Sequence, residues 1–228
     1  NSRGLISENI IDSCRKAMVI NSDNNIITNN EGAFNEWGLI INGENNSGVA
    51  PGVDPHVQSV TYGGQAMTMI IEDTYNDGGV VPYAAFFILD EAGIAAATSS
   101  DFVVTWNPAY DPTKTPEFSS IFLENVNQTT PVGDIDSASI LGQTVSTAPL
   151  ATNNGDLVIL AGTHQKDSGT YYNTNNGFTK AYGQNALGMA IIAGHKFATG
   201  SAETPSITHS ITNKRQVIVG AVIKSITP

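Results

Sequence analysis

Apolar and polar residues that alternate with a period of two, broken by small-residue turns, restrict this chain more than any other feature. The pattern is clearest in Ser59-Val60-Thr61-Tyr62-Gly63-Gly64-Gln65-Ala66-Met67-Thr68. Val60 and Tyr62 alternate with Ser59 and Thr61, and Met67, Met69 and Ile71 resume the alternation beyond the glycines. Gly63 and Gly64 can both take positive φ, which a primed hairpin turn requires if its twist is to match the strands. The segment reads as strand, turn, strand.

The same logic runs through the rest of the chain. Strands are expected at 17–20, 26–28, 34–42, 57–72, 80–90, 95–106, 118–126, 144–147, 156–163, 189–197, 205–211 and 215–226. The stretch 132–142 reads as polar and irregular, and 164–177 and 43–55 as long loops. The uninterrupted apolar run Tyr83-Ala84-Ala85-Phe86-Phe87-Ile88-Leu89 marks a strand buried on both faces. Val158–Leu160 and Ile218–Val222 also imply a second apolar face, to be covered by a loop, an arm or another subunit. Turn signals at this spacing predict an all-β fold, a two-sheet antiparallel β-sandwich of jelly-roll-like form. The expected organisation is an N-terminal arm over residues 1–16 and a single β-sandwich domain over 17–228.

The arm differs in character from the rest of the chain. Leu5, Ile6, Ile10, Ile11 and Cys14 are its apolar positions, and Ile6, Ile10, Cys14 and Met18 are spaced by four. That spacing suits a short amphipathic helix beginning after Ser7, whereas the Ile10-Ile11 pair suits an extended segment pressed between two surfaces. In either form the segment needs a groove. Cys14 is the one cysteine, so an internal disulfide is excluded; a buried small hydrophobe, an intermolecular bridge and a reactive thiol stay open. A start at Asn1 without Met fits a processed or trimmed chain, and both ends are expected to be held by the fold or by a neighbour.

Charge narrows the partners. With 10 Lys and Arg against 21 Asp and Glu the formal charge is −11, which repels phosphate backbones and anionic membranes. Neither nucleic acid nor a membrane span is expected, since no run of apolar residues is long enough to cross a bilayer. Only 14% of residues are charged, and Asn, Thr, Ser and Gln supply the remaining polarity.

Residues 57–72, 79–132 and 155–226 resemble a recurrent secreted bacterial β-sandwich module found in surface and adhesin-type proteins. The module carries a VTYGGQALT hairpin, here Val60 to Thr68, and a GVDQTTP turn, here Asn125-Val126-Asn127-Gln128-Thr129-Thr130-Pro131. Asn125 and Asn127 stand where the pattern has Gly and Asp, and the first 16 residues match nothing in it. The resemblance implies an extracellular, non-catalytic module.

Candidate sites each have a bland alternative. Asp73, Asn76 and Asp77 in one loop, and Asp134 and Asp136 in another, could take Ca²⁺ or be solvated turns; no other cofactor is expected. His56, His164, His195 and His209 form no zinc-binding motif, and no nucleophile elbow is present, so an enzyme is not expected. Tyr110, Tyr171 and Tyr172 are the candidate glycan contacts, while Trp37 and Trp106 read as core. Asn45-Asn46-Ser47 and Asn127-Gln128-Thr129 fit the N-glycosylation pattern, which an Asn-rich chain also meets by chance. Head-to-tail use of an apolar arm builds an open assembly. The expected function is therefore a pilus-like filament or adhesin subunit whose partners are copies of itself, joined through the arm. A lectin-like carbohydrate-binding module is the alternative, and the accessory domain of a polysaccharide-degrading enzyme a third reading.

Overall fold

A computed structural model describes residues 5–7, 18–20, 26–28, 36–45, 56–77, 81–107, 117–123, 125–165, 172–186 and 189–226. The N-terminal half holds β1 (Leu5–Ser7), β2 (Met18–Ile20), β3 (Ile26–Thr28), β4 (Glu36–Asn45), β5 (His56–Tyr62), β6 (Gln65–Ala66), β7 (Thr68–Thr74), β8 (Val81–Leu89), β9 (Phe102–Asn107) and β10 (Glu117–Leu123). The C-terminal half holds β11 (Val132–Gly142), β12 (Thr144–Ser146), β13 (Asn154–Gln165), β14 (Tyr172–Thr174), β15 (Thr179–Ala186), β16 (Met189–Thr199), β17 (Ser206–His209) and β18 (Lys214–Ile223). Among the described residues there is one short helix, α1 (Glu91–Ala96), capped by Asp90, whose carboxylate accepts the Gly93 N–H at 2.7 Å.

The all-β sandwich expected from the turn spacing is what the chain forms, with more layers than one pair of sheets. Two five-stranded sheets have the orders β2-β10-β4-β8-β7 and β11-β18-β13-β16-β15. With the short strands β1 and β6 left out of the count, these are the same arrangement: first, last, third, sixth and fifth strand of each half. A smaller sheet accompanies each, β6-β5-β9 in the first half and β12-β17-β14 in the second. Among the described strands every pairing is antiparallel except β1 with β3.

Side-chain alternation explains the stacking. On β8, Tyr83, Ala85, Phe87 and Leu89 pack under the β5 and β9 side with Val57, Val60, Tyr62 and Met67. Ala84 and Phe86 point the other way and share a cluster with Ile159, Ala161, Ala193, Val217, Val219, Ala221 and Ile223. The opposite faces of β13 and β18 carry Val158, Leu160, Ile218 and Val222, which pack with Val145, Leu150 and Ile207 beneath the second small sheet. The two five-stranded sheets therefore meet back to back. Each large aliphatic or aromatic side chain in this seam contributes about 1.5–3 kcal/mol by leaving water.

Several sequence expectations are corrected. The strand expected over 95–106 starts at Phe102, because Asp90 caps a helix that runs to Ala96. Strand β4 extends to Asn45 and β13 to Gln165, and Tyr172–Thr174 is strand, where long loops were expected. Residues 132–142 are strand β11, the edge of the second large sheet, paired with β18 along its length. Its polar content belongs to an edge position. Asp134 and Asp136 accept the Ala151 and Ala148 N–H groups at 2.8 and 2.6 Å.

Candidate functional site

Leu5 and Ile6 lie in β1, where Leu5, Ile6 and Ser7 pair in parallel with Ile26, Ile27 and Thr28. The start of the arm is therefore extended. Ile10, Ile11 and Cys14, and with them the helix considered after Ser7, lie outside the described residues. A three-residue parallel pairing is a small contact, because parallel ladders are the less stable kind per residue.

Among the candidate glycan contacts, Tyr110 and Tyr171 lie outside the described residues, and the backbone of Tyr172 begins β14 at the end of the second small sheet. Trp106 packs against the first-half core with its ring edge-on to Tyr83, centroids 5.8 Å apart. The backbone of Trp37 is in β4.

The acidic residues considered for Ca²⁺ have protein partners in the structure. Asp73 accepts the Thr74 N–H at 2.7 Å, and Asp77 pairs with Arg215 across the two halves. Burial raises the Asp73 pKa; hydrogen bonds with the Thr74 amide and the Ser137 side chain oppose this, and the Asp136 charge adds to it. The structure thus brings Asp73 of β7 and Asp136 of β11 into one electrostatic neighbourhood, on strands rather than the loops expected. Among the described residues, no three His, Cys, Asp or Glu side chains gather as a metal site would require.

The hairpin glycines serve packing. Gly63 and Gly64 have φ of 54° and 83°, as the turn chemistry requires. A Cβ on Gly63 would meet the Ala97 Cβ at 2.6 Å. The Gly63 N–H donates to the Asp101 carbonyl at 2.9 Å, the Thr98 N–H donates to the Gly63 carbonyl at 3.0 Å, and Gln65 Nε2 donates to the Ala96 carbonyl at 3.1 Å. The hairpin is clamped to the loop that comes after α1.

The second motif is the connection between the halves. Asn125 takes φ of 59°, a conformation that favours Gly and that Asn tolerates. Asn127 Oδ1 accepts the Thr129 and Thr130 N–H groups at 3.0 and 2.9 Å, a task for which Asp and Asn are equally equipped. Both replacements keep the geometry of the turn. The Asn127 N–H donates to the Lys224 carbonyl, and the Lys224 N–H donates to the Pro131 carbonyl, which pins the turn to the end of the last strand.

Sequence reasoning missed a cluster inside the C-terminal half. His164 on β13 and His209 on β17 stack face to face, ring centroids 4.5 Å apart and planes 22° apart. Register places Gln216 of β18 beside His164. His164 and Gln216 are 0% exposed and His209 is 1% exposed. Neither polar side-chain atom of Gln216 has a hydrogen-bond partner among the described residues. The Ile211 N–H donates to His209 Nδ1 at 3.2 Å, so in neutral His209 the proton sits on Nε2. Burial lowers the His209 pKa; a hydrogen bond with the Gly142 backbone opposes this and the Lys214 charge adds to it. Stacked rings cannot direct in-plane lone pairs at one ion about 2 Å from each, so the pair is a poor start for a metal centre. The signal available in sequence was a histidine near the end of each of two apolar strands, 45 positions apart in the chain, and no spacing rule links them.

Compared with family models, curated proteins and solved structures, the chain matches none of them. Among the described residues, no helix is long and apolar enough to cross a membrane.

Proposed function

We propose that the protein is a non-catalytic extracellular structural subunit, which assembles into a filament or adhesin by lending its N-terminal arm to a neighbouring copy. The observation that carries the reading is that Leu5–Ser7 is a strand held by three residue pairs to Ile26–Thr28. A segment that is already extended, apolar and lightly held can exchange its partner strand for the same one in another copy at little cost.

Edge protection supports the same route. The outer strands β7, β11 and β15 of the large sheets each carry a bulge, near Met69/Ile71, Val132/Ile135 and Lys180/Tyr182. Bulges blunt edge-to-edge pairing. Copies would then join through the arm rather than through those edges. The module resemblance adds the extracellular setting, and the −11 charge keeps free subunits soluble.

The test compares the full chain with a form lacking residues 1–16 by light scattering and negative-stain imaging. Concentration-dependent growth of the full chain, abolished by the deletion, is expected. Equal growth of both forms would end the proposal. A lectin-like reading has one observation in its favour, the placement of Tyr172 at the start of an end strand. Glycan-array binding lost in Tyr172→Ala would favour it.

A further inference from the structure

We propose that the His164–His209 stack is an acid-sensitive latch that fastens the small sheet β12-β17-β14 to the large sheet of the C-terminal half. The two imidazoles come from facing layers, one on β13 and one on β17, and touch across the interior. Deeper in the same half the two layers meet through Leu160, Ile218, Val145 and Ile207. At the latch they meet through two stacked imidazoles, a contact that a proton on His209 would charge.

Geometry decides what a proton does there. Neutral His209 holds its hydrogen on Nε2 and accepts the Ile211 N–H on Nδ1. A proton taken from solvent must add at Nδ1. It then sets N–H against N–H, and the hydrogen bond that anchors the end of β17 is lost. The new cation lies buried against the face of a second imidazole, where a charge is costly. The groups facing the pair are Lys214 and Gln216 from β18, the Gly142 backbone at the end of β11, whose hydrogen bond favours the charged His209 and is outweighed by burial, and the Gln143 carbonyl ahead of β12, which accepts the His209 backbone N–H at 3.1 Å. Ile140 of β11 and Ala190 of β16 are the register neighbours of Gln216 and His164. Lys214 is cationic and opposes a second positive charge.

Gln216 tips the balance further. Its amide is buried with neither atom hydrogen-bonded, so the closed form carries an unmet polar group that opening would hydrate. The closed latch is the neutral form, and it loosens as pH falls below the ordinary histidine value of 6.5. The latch lies in the interior of one chain and is independent of how copies associate.

Backbone hydrogen exchange of the full chain at pH 7.5 and pH 5.0, corrected for intrinsic exchange rates, reads the latch directly. At pH 5.0 the β17 and β14 amides should lose roughly tenfold in protection, while the β8 amides do not change. His209→Gln should remove that pH dependence. Should this variant not fold, an NMR titration of the wild-type imidazoles replaces it, and protonation of His209 must coincide with the loss of β17 protection. Full β17 protection at pH 5.0 with His209 protonated would overturn the proposal, as would an undiminished acid response in His209→Gln.

Discussion

Tyr83 in the N-terminal half and His164 in the C-terminal half are both fully buried beneath a small sheet, but their surroundings treat polarity differently. The Tyr83 hydroxyl accepts the Val57 N–H at 3.3 Å and donates to Glu72 Oε2 at 2.6 Å. It ties β5, β7 and β8 together, and burial with the Glu72 hydrogen bond pushes its pKa far up, so it stays neutral at any ordinary pH. His164 instead stacks on a second imidazole beside the unpartnered amide of Gln216. The same strand order thus supports two interiors. One has a polar tie that does not titrate. The other has a polar contact in which burial disfavours the charged form of His209.

The seam between the halves is where that comparison is most easily broken. Phe86→Ala removes an aromatic ring from the shared cluster and should cost about 3–5 kcal/mol. Urea unfolding followed separately in each half should show both destabilised; loss confined to the N-terminal half would mean that the seam does not couple them. Gly63→Ala comes next, at about 3 kcal/mol, since it combines a positive φ with a Cβ pressed onto Ala97. Its thermal midpoint should fall with little change in exchange rates of the C-terminal half. Tyr83→Phe should cost about 1–3 kcal/mol, because it strands the Val57 N–H and Glu72. That loss should be the same at pH 7.5 and pH 5.5, in contrast to anything that passes through His209.

The smallest effect should come from Lys196. Its ammonium donates to Glu203 at 2.6 Å and to the Asn176 carbonyl at 3.1 Å, and lies 5.9 Å from the Phe178 ring centroid. Lys196 is partly exposed but Glu203 is buried, so the two are replaced together: Lys196→Met with Glu203→Gln leaves no buried charge unpaired and should lower stability by about 1 kcal/mol or less in thermal unfolding. For the whole chain, the lowered His209 pKa means that the unfolded state takes up the proton first. Stability is then full above the ordinary histidine value of 6.5 and declines as pH falls through it.

How much of the fold is legible in the sequence depends on the strength of local signals. The run from Tyr83 to Leu89 reads as doubly buried because apolar residues on consecutive positions must face opposite ways, and both clusters on its two sides are present. Gly63-Gly64 reads as a turn because few other pairs take positive φ twice in succession. Strand β11 is misread because an edge strand need bury only part of one face, so Asp134, Asp136, Ser137 and Ser139 hide the alternation. The repetition of strand order between the halves leaves no mark in the residues, since topology constrains turn placement and burial rather than identity. The imidazole stack is invisible for a related reason. It exists only once β13 pairs with β18 and β17 closes over them.

The proposed function rests on the arm, whose register makes it directly measurable. Leu5 and Ile26 are Cα partners across β1 and β3, close enough for a disulfide if both become cysteine. Leu5→Cys with Ile26→Cys, in a chain carrying Cys14→Ser, is oxidised under assembly conditions and run on a non-reducing gel. Strand exchange between copies predicts a ladder of covalent multimers. Cross-linked monomer alone, at concentrations where the chain is assembled, would contradict it.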